Sequence, residues 1–309
     1  MFTLVRGPKC LPFIGQLGKE LWPSSAFLSF SWFSYHKNQL TIGGPPRKYF
    51  SNIALHNPDI VPLNYGHGAA IKYCKKNKMC LMAQYLLPPS KDRPKGTIKT
   101  KKQNFKKDHG LDPDEQDNHI LYRRSRYDRG KMTPHADAKL IHHELAEDSW
   151  LCSNVCPQYQ NINRGIWKTL ENKAREYSGF LDEQGLVLEI ICGSMFDDQV
   201  VCIRKRRAIG QMLVPANYFK ILIVREKSWK LVDVTSIVLP HLEENEKIKD
   251  RNCFQKYATS PEKIQNQIDC RLDLVKELLG NDNVTRNKFF SRYGASVHGY
   301  NDDHSVASA

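Results

Sequence analysis

Asn163, Trp167, Glu171 and Arg175 follow one another at a spacing of four residues. With about 3.6 residues per helical turn, such a series runs along one slowly drifting face. It collects an amide oxygen and a carboxylate, both hard oxygen donors of the kind magnesium takes. It adds a guanidinium suited to two-pronged contact with a phosphate. The alternative is an ordinary helix surface with an asparagine cap and a Glu171–Arg175 pair. A second group lies upstream, in SRYDRGKMTPHADA (residues 125–138), where Arg126 leads into Asp128-Arg129-Gly130-Lys131. A lysine there can donate to a phosphate oxygen. It is a poor proton acceptor, because an unperturbed ammonium titrates at about 10.4. Lowering it by three units would cost roughly 4 kcal/mol of environment.

These groups stand in a definite order: Asp128-Arg129-Gly130-Lys131, then Ser153-Asn154-Val155-Cys156-Pro157-Gln158, then Asn163, Trp167, Leu170-Glu171 and Arg175. The ordered set resembles the DNA/RNA non-specific endonuclease family, the ββα-metal (His-Me finger) nucleases that include Serratia-type and endonuclease G-like enzymes. VPANYFKILIV (residues 214–224) looks like the family's late core strand, and the resemblance covers roughly residues 65–285. It implies an α+β fold with a central, mostly antiparallel sheet and flanking helices. It also implies a hydrated magnesium ion held by Asn163, whose water ligands Glu171 orders. Arg129 and Arg175 would steady the site and the phosphate. The metal would stabilise the developing phosphorane charge and the leaving oxygen. Substrate would be read through its backbone, so that DNA and RNA are partners alike.

The family's DRGH element carries its general base in the histidine, and here that place is Lys131. Gln103 falls where a phosphate-binding arginine often stands in the family, with Lys101, Lys102, Lys106 and Lys107 beside it. His135, His142 and His143 follow downstream, as substitute bases or as helix-surface residues. The pattern is that of a nuclease fold turned to binding, similar to the nuclease-like proteins of blood-feeding insect saliva. The resulting expectation is sequence-nonspecific binding of DNA and RNA, with magnesium-dependent hydrolysis weak or lost. The alternative is a working magnesium endonuclease with Lys131 as an unusual base. A basic scaffold for anionic glycans or membranes is a third reading, and it leaves the ordered motifs unexplained.

Strands and helices must hold these residues. KMCLMAQYLL (78–87) reads as a buried strand closed by Pro88-Pro89. PHADAKLIHHELAED (134–148) reads as one helix, and residues 162–180 as another that stops near Gly179. The apolar runs 186–196, 218–224 and 229–240 read as antiparallel strands. Residues 261–280 read as a closing amphipathic helix stopped at Gly280, with a polar, loose tail from Asn281. The organisation predicted is an N-terminal extension or small subdomain over 1–65, a nuclease-like domain over 66–285 and a polar tail over 286–309.

Composition agrees with a polyanionic partner. The 309-residue chain carries 46 Lys and Arg against 33 Asp and Glu, a net charge of +13. Much of that excess crowds the loop 90–110. Nine cysteines without a CxxC pair argue against zinc-ribbon and thioredoxin-like sites. They suit either a few disulfides in an oxidising compartment or buried reduced thiols. The apolar run 21–35 is too short to span a membrane, and no membrane partner is expected. No clean signal peptide is visible. Secretion is the expected location, with mitochondrial or intracellular placement as the alternative, and Asn283-Val284-Thr285 would be glycosylated only in a secreted chain.

Overall fold

A computed structural model describes residues 59–94, 104–116, 121–196, 201–203, 212–243, 254–268, 272–278, 281 and 283–293. Lys101, Lys102, Gln103, residues 1–58 and the cluster 204–207 lie outside them. The described chain opens with a meander of β1 (Ile60–Gly66), β2 (Ala69–Cys74) and β3 (Met79–Leu87). A separate two-stranded ribbon, β4 (Tyr127–Lys131) and β5 (Val155–Tyr159), is joined across two short helices, α1 (His135–Ile141) and α2 (His143–Asp148). Then come α3 (Trp167–Glu183), β6 (Leu186–Met195) and a small ribbon of β7 (Val201–Ile203) and β8 (Met212–Val214). The strands β9 (Asn217–Glu226) and β10 (Leu231–Pro240) follow. The chain continues through β11 (Ala258–Thr259), α4 (Pro261–Gln265), α5 (Asp273–Leu278), β12 (Thr285–Arg286) and α6 (Lys288–Tyr293).

The main sheet has the order β1-β2-β3-β6-β9-β10-β11, with β12 also on β10. All its pairings are antiparallel except β10 with β12. Helices and loops cover both faces. On one, Tyr218, Leu222 and Val224 of β9 and Leu188 and Ile190 of β6 pack with Trp167, Leu170, Ala174, Tyr177 and Leu181 of α3. On the other, Phe219, Ile221 and Ile223 meet Ile264, Leu272, Leu274 and Leu278. Strands buried on both faces read as continuous apolar runs, which is why YFKILIV shows no alternation. A buried arginine ties α5 to the sheet: Arg225 donates to Glu189 at 2.6 Å and, by both terminal nitrogens, to Glu277 at 2.7 and 2.8 Å.

Several elements depart from expectation. The helix over 134–148 breaks at His142, whose backbone is extended (φ −160, ψ 150) and whose Nδ1 accepts from Glu144 N at 3.3 Å. The capping bond replaces the continuous ladder there. The helix expected to stop near Gly179 runs on to Glu183 and ends at Gly185, φ +72. A glycine inside a helix costs about 1 kcal/mol, less than the burial of Leu181 returns. Residues 261–280 hold two short helices instead of one. The stretch from Thr285 to Tyr293 is packed, not loose: β12 joins β10, and Phe289 and Phe290 are buried, Phe289 against Tyr177. The sheet also takes in residues 60–65, ahead of the expected boundary, because β1 pairs with β2 along its length. Cys74, Cys80, Cys152, Cys156 and Cys192 are all buried. Among the described residues no helix is long and apolar enough to cross a membrane.

Candidate active site

The β4–β5 ribbon pairs Asp128 with Gln158, Gly130 with Cys156 and Lys131 with Val155. Gly130 is required by contact: a Cβ there would lie 2.2–2.5 Å from the Gln158 side chain. Beyond the strand, Asn154 fixes the next turn. Its Oδ1 accepts from Thr133 N at 2.8 Å, and its Nδ2 donates to Thr133 O at 2.9 Å and Ser149 O at 3.1 Å. Ser153 bonds to Tyr65 and Asp108. The SN…PQ stretch is therefore framework, and its role is to aim residues 128–131.

Asn163 does not sit on the regular turns of α3. It lies in a π-helical turn, Ile162–Ile166, kinked at Gly165 (φ −107, ψ −111). Such turns widen the helix and recur at functional sites. The turn throws Asn163 and Arg164 toward β4, where Asn163 Nδ2 donates to Asp128 Oδ2 at 3.0 Å. Arg164 grips both Asp128 oxygens at 2.7 Å. Burial would raise the Asp128 pKa, but the hydrogen bonds from Arg164 and Asn163 outweigh it and the carboxyl sits below its ordinary value. An ionised Asp128 fixes which way the Asn163 amide faces, leaving Oδ1 as the amide's outward ligand atom.

Glu171 is half-buried, and burial raises its carboxyl to about 7 against the opposing fields of Lys220 and Arg175. Arg175 is held by the fully buried Asp137 and by Asn172, not by the Glu171 pairing of the alternative helix-surface reading. Asp137 also accepts from Tyr85 OH at 2.8 Å. Arg175 thus braces α3 against α1 and β3, with its side chain 20% exposed.

Lys131 makes no hydrogen bond or ion pair among the described residues. Its Nζ lies 3.0 Å from the centroid of the Trp150 ring and 5.3 Å from that of Phe105. Arg129 stacks on the same Phe105 ring at 4.1 Å. The Trp150 indole is held from behind, its Nε1 donating to His135 Nδ1 at 3.2 Å. Burial, with Lys131 adding, lowers His135 to about 4, so it is neutral at physiological pH and serves as a buttress. Burial lowers the Lys131 ammonium to about 7; Glu171 opposes this and Arg129 adds to it. The Trp150 face also favours the cation.

Of the loop residues expected to contact nucleic acid, Lys106, Lys107 and Arg126 are described. Lys106 and Lys107 are exposed, and the chain at Lys106 is stapled to the Trp150 segment by Lys106 N→Trp150 O, 3.0 Å, and Cys152 N→Lys106 O, 2.8 Å. Arg126 is exposed and paired with Glu243. Trp150, Phe105 and Asp137 belong to the site and were not singled out from sequence, and Asp128 was named in the motif without a role. Asp128 had a signal in its place beside Arg129. Trp150 had none, because it meets Lys131 only through the fold.

A two-stranded ribbon carrying Lys131, followed by a turn and helix carrying Asn163 and Glu171, is the arrangement of the ββα-metal nuclease fold. The family model for DNA/RNA non-specific endonuclease matches residues 52–275, and the chain belongs to that family. Human endonuclease G is 23% identical over 197 residues, covering 62% of this chain and 64% of that protein. Mitochondrial nuclease 1 of Schizosaccharomyces pombe is 30% identical over 155 residues, covering 47% and 45%. The chain spans less than two thirds of the length of the curated relatives it matches. A crystal structure of the EndoG/EndoGI complex matches with a TM-score of 0.56 at 19% identity, over 72% of this chain and 88% of that one, a likeness of fold. The family is metal-dependent, typically on magnesium. The Asn163 amide oxygen and the Glu171 carboxylate are hard donors that fit such an ion.

Proposed function

We propose that this protein binds DNA and RNA through the phosphate backbone, without sequence preference, and hydrolyses them weakly or not at all at neutral pH. The observation that carries the reading is Lys131, seated on the Trp150 face in the family's base position. Its charged form donates to phosphate oxygens, repels a nearby dication and cannot take a proton from water. An approaching phosphate raises its pKa from about 7, as the Trp150 face does, so the complex favours the ammonium. When bound, magnesium would supply Lewis-acid stabilisation of phosphoryl charge. Asn163 and Glu171 would hold it or its waters, and Arg129 would steady the phosphate. The mitochondrial relatives support a mitochondrial location over secretion. Plasmid digestion with magnesium, beside filter binding on the same preparation, tests the reading: tight binding without nicking is expected. Efficient nicking at neutral pH that Asn163→Ala abolishes would overturn it.

The runner-up, Lys131 as a working base, is favoured by its lowered pKa. Because that folded value is depressed, the charge is present below about 7 and lost as the pH rises. Residual nicking should therefore climb from about pH 6 to about pH 9, and Lys131→Met should remove the part of the climb that Lys131 supplies. A rise of the same size in Lys131→Met would assign the titration to Glu171 instead.

Salt dependence probes the basic loop. Log affinity should fall linearly with log salt, with a slope of roughly −4 to −6 if about half of the basic side chains in residues 90–126 reach phosphates. Lys101→Ala with Lys102→Ala should flatten the slope by about one to two units. An unchanged slope would leave those two lysines without a phosphate contact.

A further inference from the structure

We propose that His67, His142 and Glu144 form a second cation site, for a zinc-class transition metal, separate from the nuclease centre. His67 occupies a tight turn between β1 and β2 in which it and Gly68 both have positive φ, 48 and 84. Such turns favour Asn, Asp or Gly at the first position, and histidine is also enriched in the left-handed region. That ring is turned onto the corner between α1 and α2. It stacks on His142 with centroids 3.9 Å apart and 3° between planes, and its Nε2 meets the Glu144 carboxylate. His142 Nδ1 lies 3.9 Å from the same Glu144 Oε2, and ligation through it would displace the 3.3 Å capping bond from Glu144 N. One ligand atom from each residue lies within 4.8 Å of the other two.

Two imidazoles and one carboxylate are a donor set of zinc proteins, with a fourth position left for water. Imidazole nitrogen suits zinc, cobalt, nickel and copper better than magnesium. This separates the cluster chemically from the oxygen donors Asn163 and Glu171. It is separate in space too. His135, at the start of α1, buttresses Trp150 beside Lys131, whereas His142 follows the end of α1, about 10 Å along a seven-residue helix. Parallel rings cannot aim their lone pairs at one ion, so loading requires one imidazole to turn about its Cβ–Cγ bond. His67 is the ring with room to do so, at a hairpin tip and with 23% of its side chain exposed, against 9% for His142. Glu144, exposed on the first turn of α2, can follow it. The loaded site would clip the β1–β2 turn to the segment that leads into Trp150.

The test uses the full chain, stripped with chelator and titrated with Zn²⁺ by calorimetry, and with Co²⁺ by visible absorption. One zinc equivalent should bind, raise the unfolding temperature and persist in Asn163→Ala, which separates it from the nuclease centre. His67→Asn, which tolerates the left-handed backbone, and Glu144→Gln should each weaken it by about 100-fold or more. The cobalt spectrum should show nitrogen and oxygen ligands and no thiolate charge-transfer band. Zinc affinity unchanged in both variants, a thiolate band, or no saturable binding by the parent would overturn the proposal. Since none of these readouts depends on nucleic acid, the result is independent of the binding reading above.

Discussion

Replacing Lys131 with histidine is expected to raise magnesium-dependent nicking of plasmid DNA by about 100-fold or more, the lower end of what a positioned general base contributes. The backbone at 131 is already set by the β4–β5 register and by Asn154, so under the proposed reading the new side chain would start from the family's base position. Asn163 is already oriented by an ionised Asp128. In the proposed complex, where a bound phosphate raises the Lys131 ammonium above about 7, the parent would have no uncharged base near neutrality, and an imidazole titrating at about 6.5 would supply one. Losing the ammonium also removes a charge that repels the metal. Nucleic-acid affinity should fall only slightly, since one phosphate contact among several is altered. If the variant folds and binds DNA but still does not cleave, a second defect lies elsewhere, and Gln103 is the first suspect. Parent-level nicking in a variant that also binds magnesium would sink the idea that the lysine limits the chemistry.

Asp137→Ala should destabilise the fold by about 3 kcal/mol, the low end of the range for breaking a buried ion pair. The carboxylate is fully buried and satisfies both Arg175 and the Tyr85 hydroxyl. Its removal leaves that hydroxyl without its acceptor and a guanidinium without its counter-charge. Because Arg175 retains 20% side-chain exposure, water recovers part of the loss, which places the figure at the low end. Urea unfolding checks it: the midpoint should drop with the slope unchanged. The same variant examines Arg175. If that residue chiefly contacts phosphate, freeing it from Asp137 should tighten nucleic-acid binding at little cost in stability, and that outcome would refute its role as a brace.

Sequence alone carried the ordered motif, and with it the family and the sheet-and-helix class. That was possible because local patterns report local demands. Gly130 has to be glycine beneath Gln158, and Trp167, Leu170, Ala174, Tyr177 and Leu181 form the buried stripe of α3. The doubly buried β9 is a run of apolar residues. The helix stops were less legible, since a glycine marks an end only where packing does not carry the helix past it, as it does at Gly179. The aromatic pair Phe289-Phe290 lay hidden in a polar tail because its partner, Tyr177, is far away in sequence. The environment of Lys131 was beyond reach for the same reason. Its ammonium is governed by Trp150, Phe105, Arg129 and Glu171, and three of these approach only when the ribbon folds over α3 and the basic loop is stapled alongside. Arg175 shows the same limit: its place on the helix was readable, but its pairing with Asp137 rather than Glu171 was not. Residue type and spacing define which groups are available. The dielectric around them and the partner each one takes are set by long-range packing, and that decides whether the lysine at 131 is an ammonium or an amine.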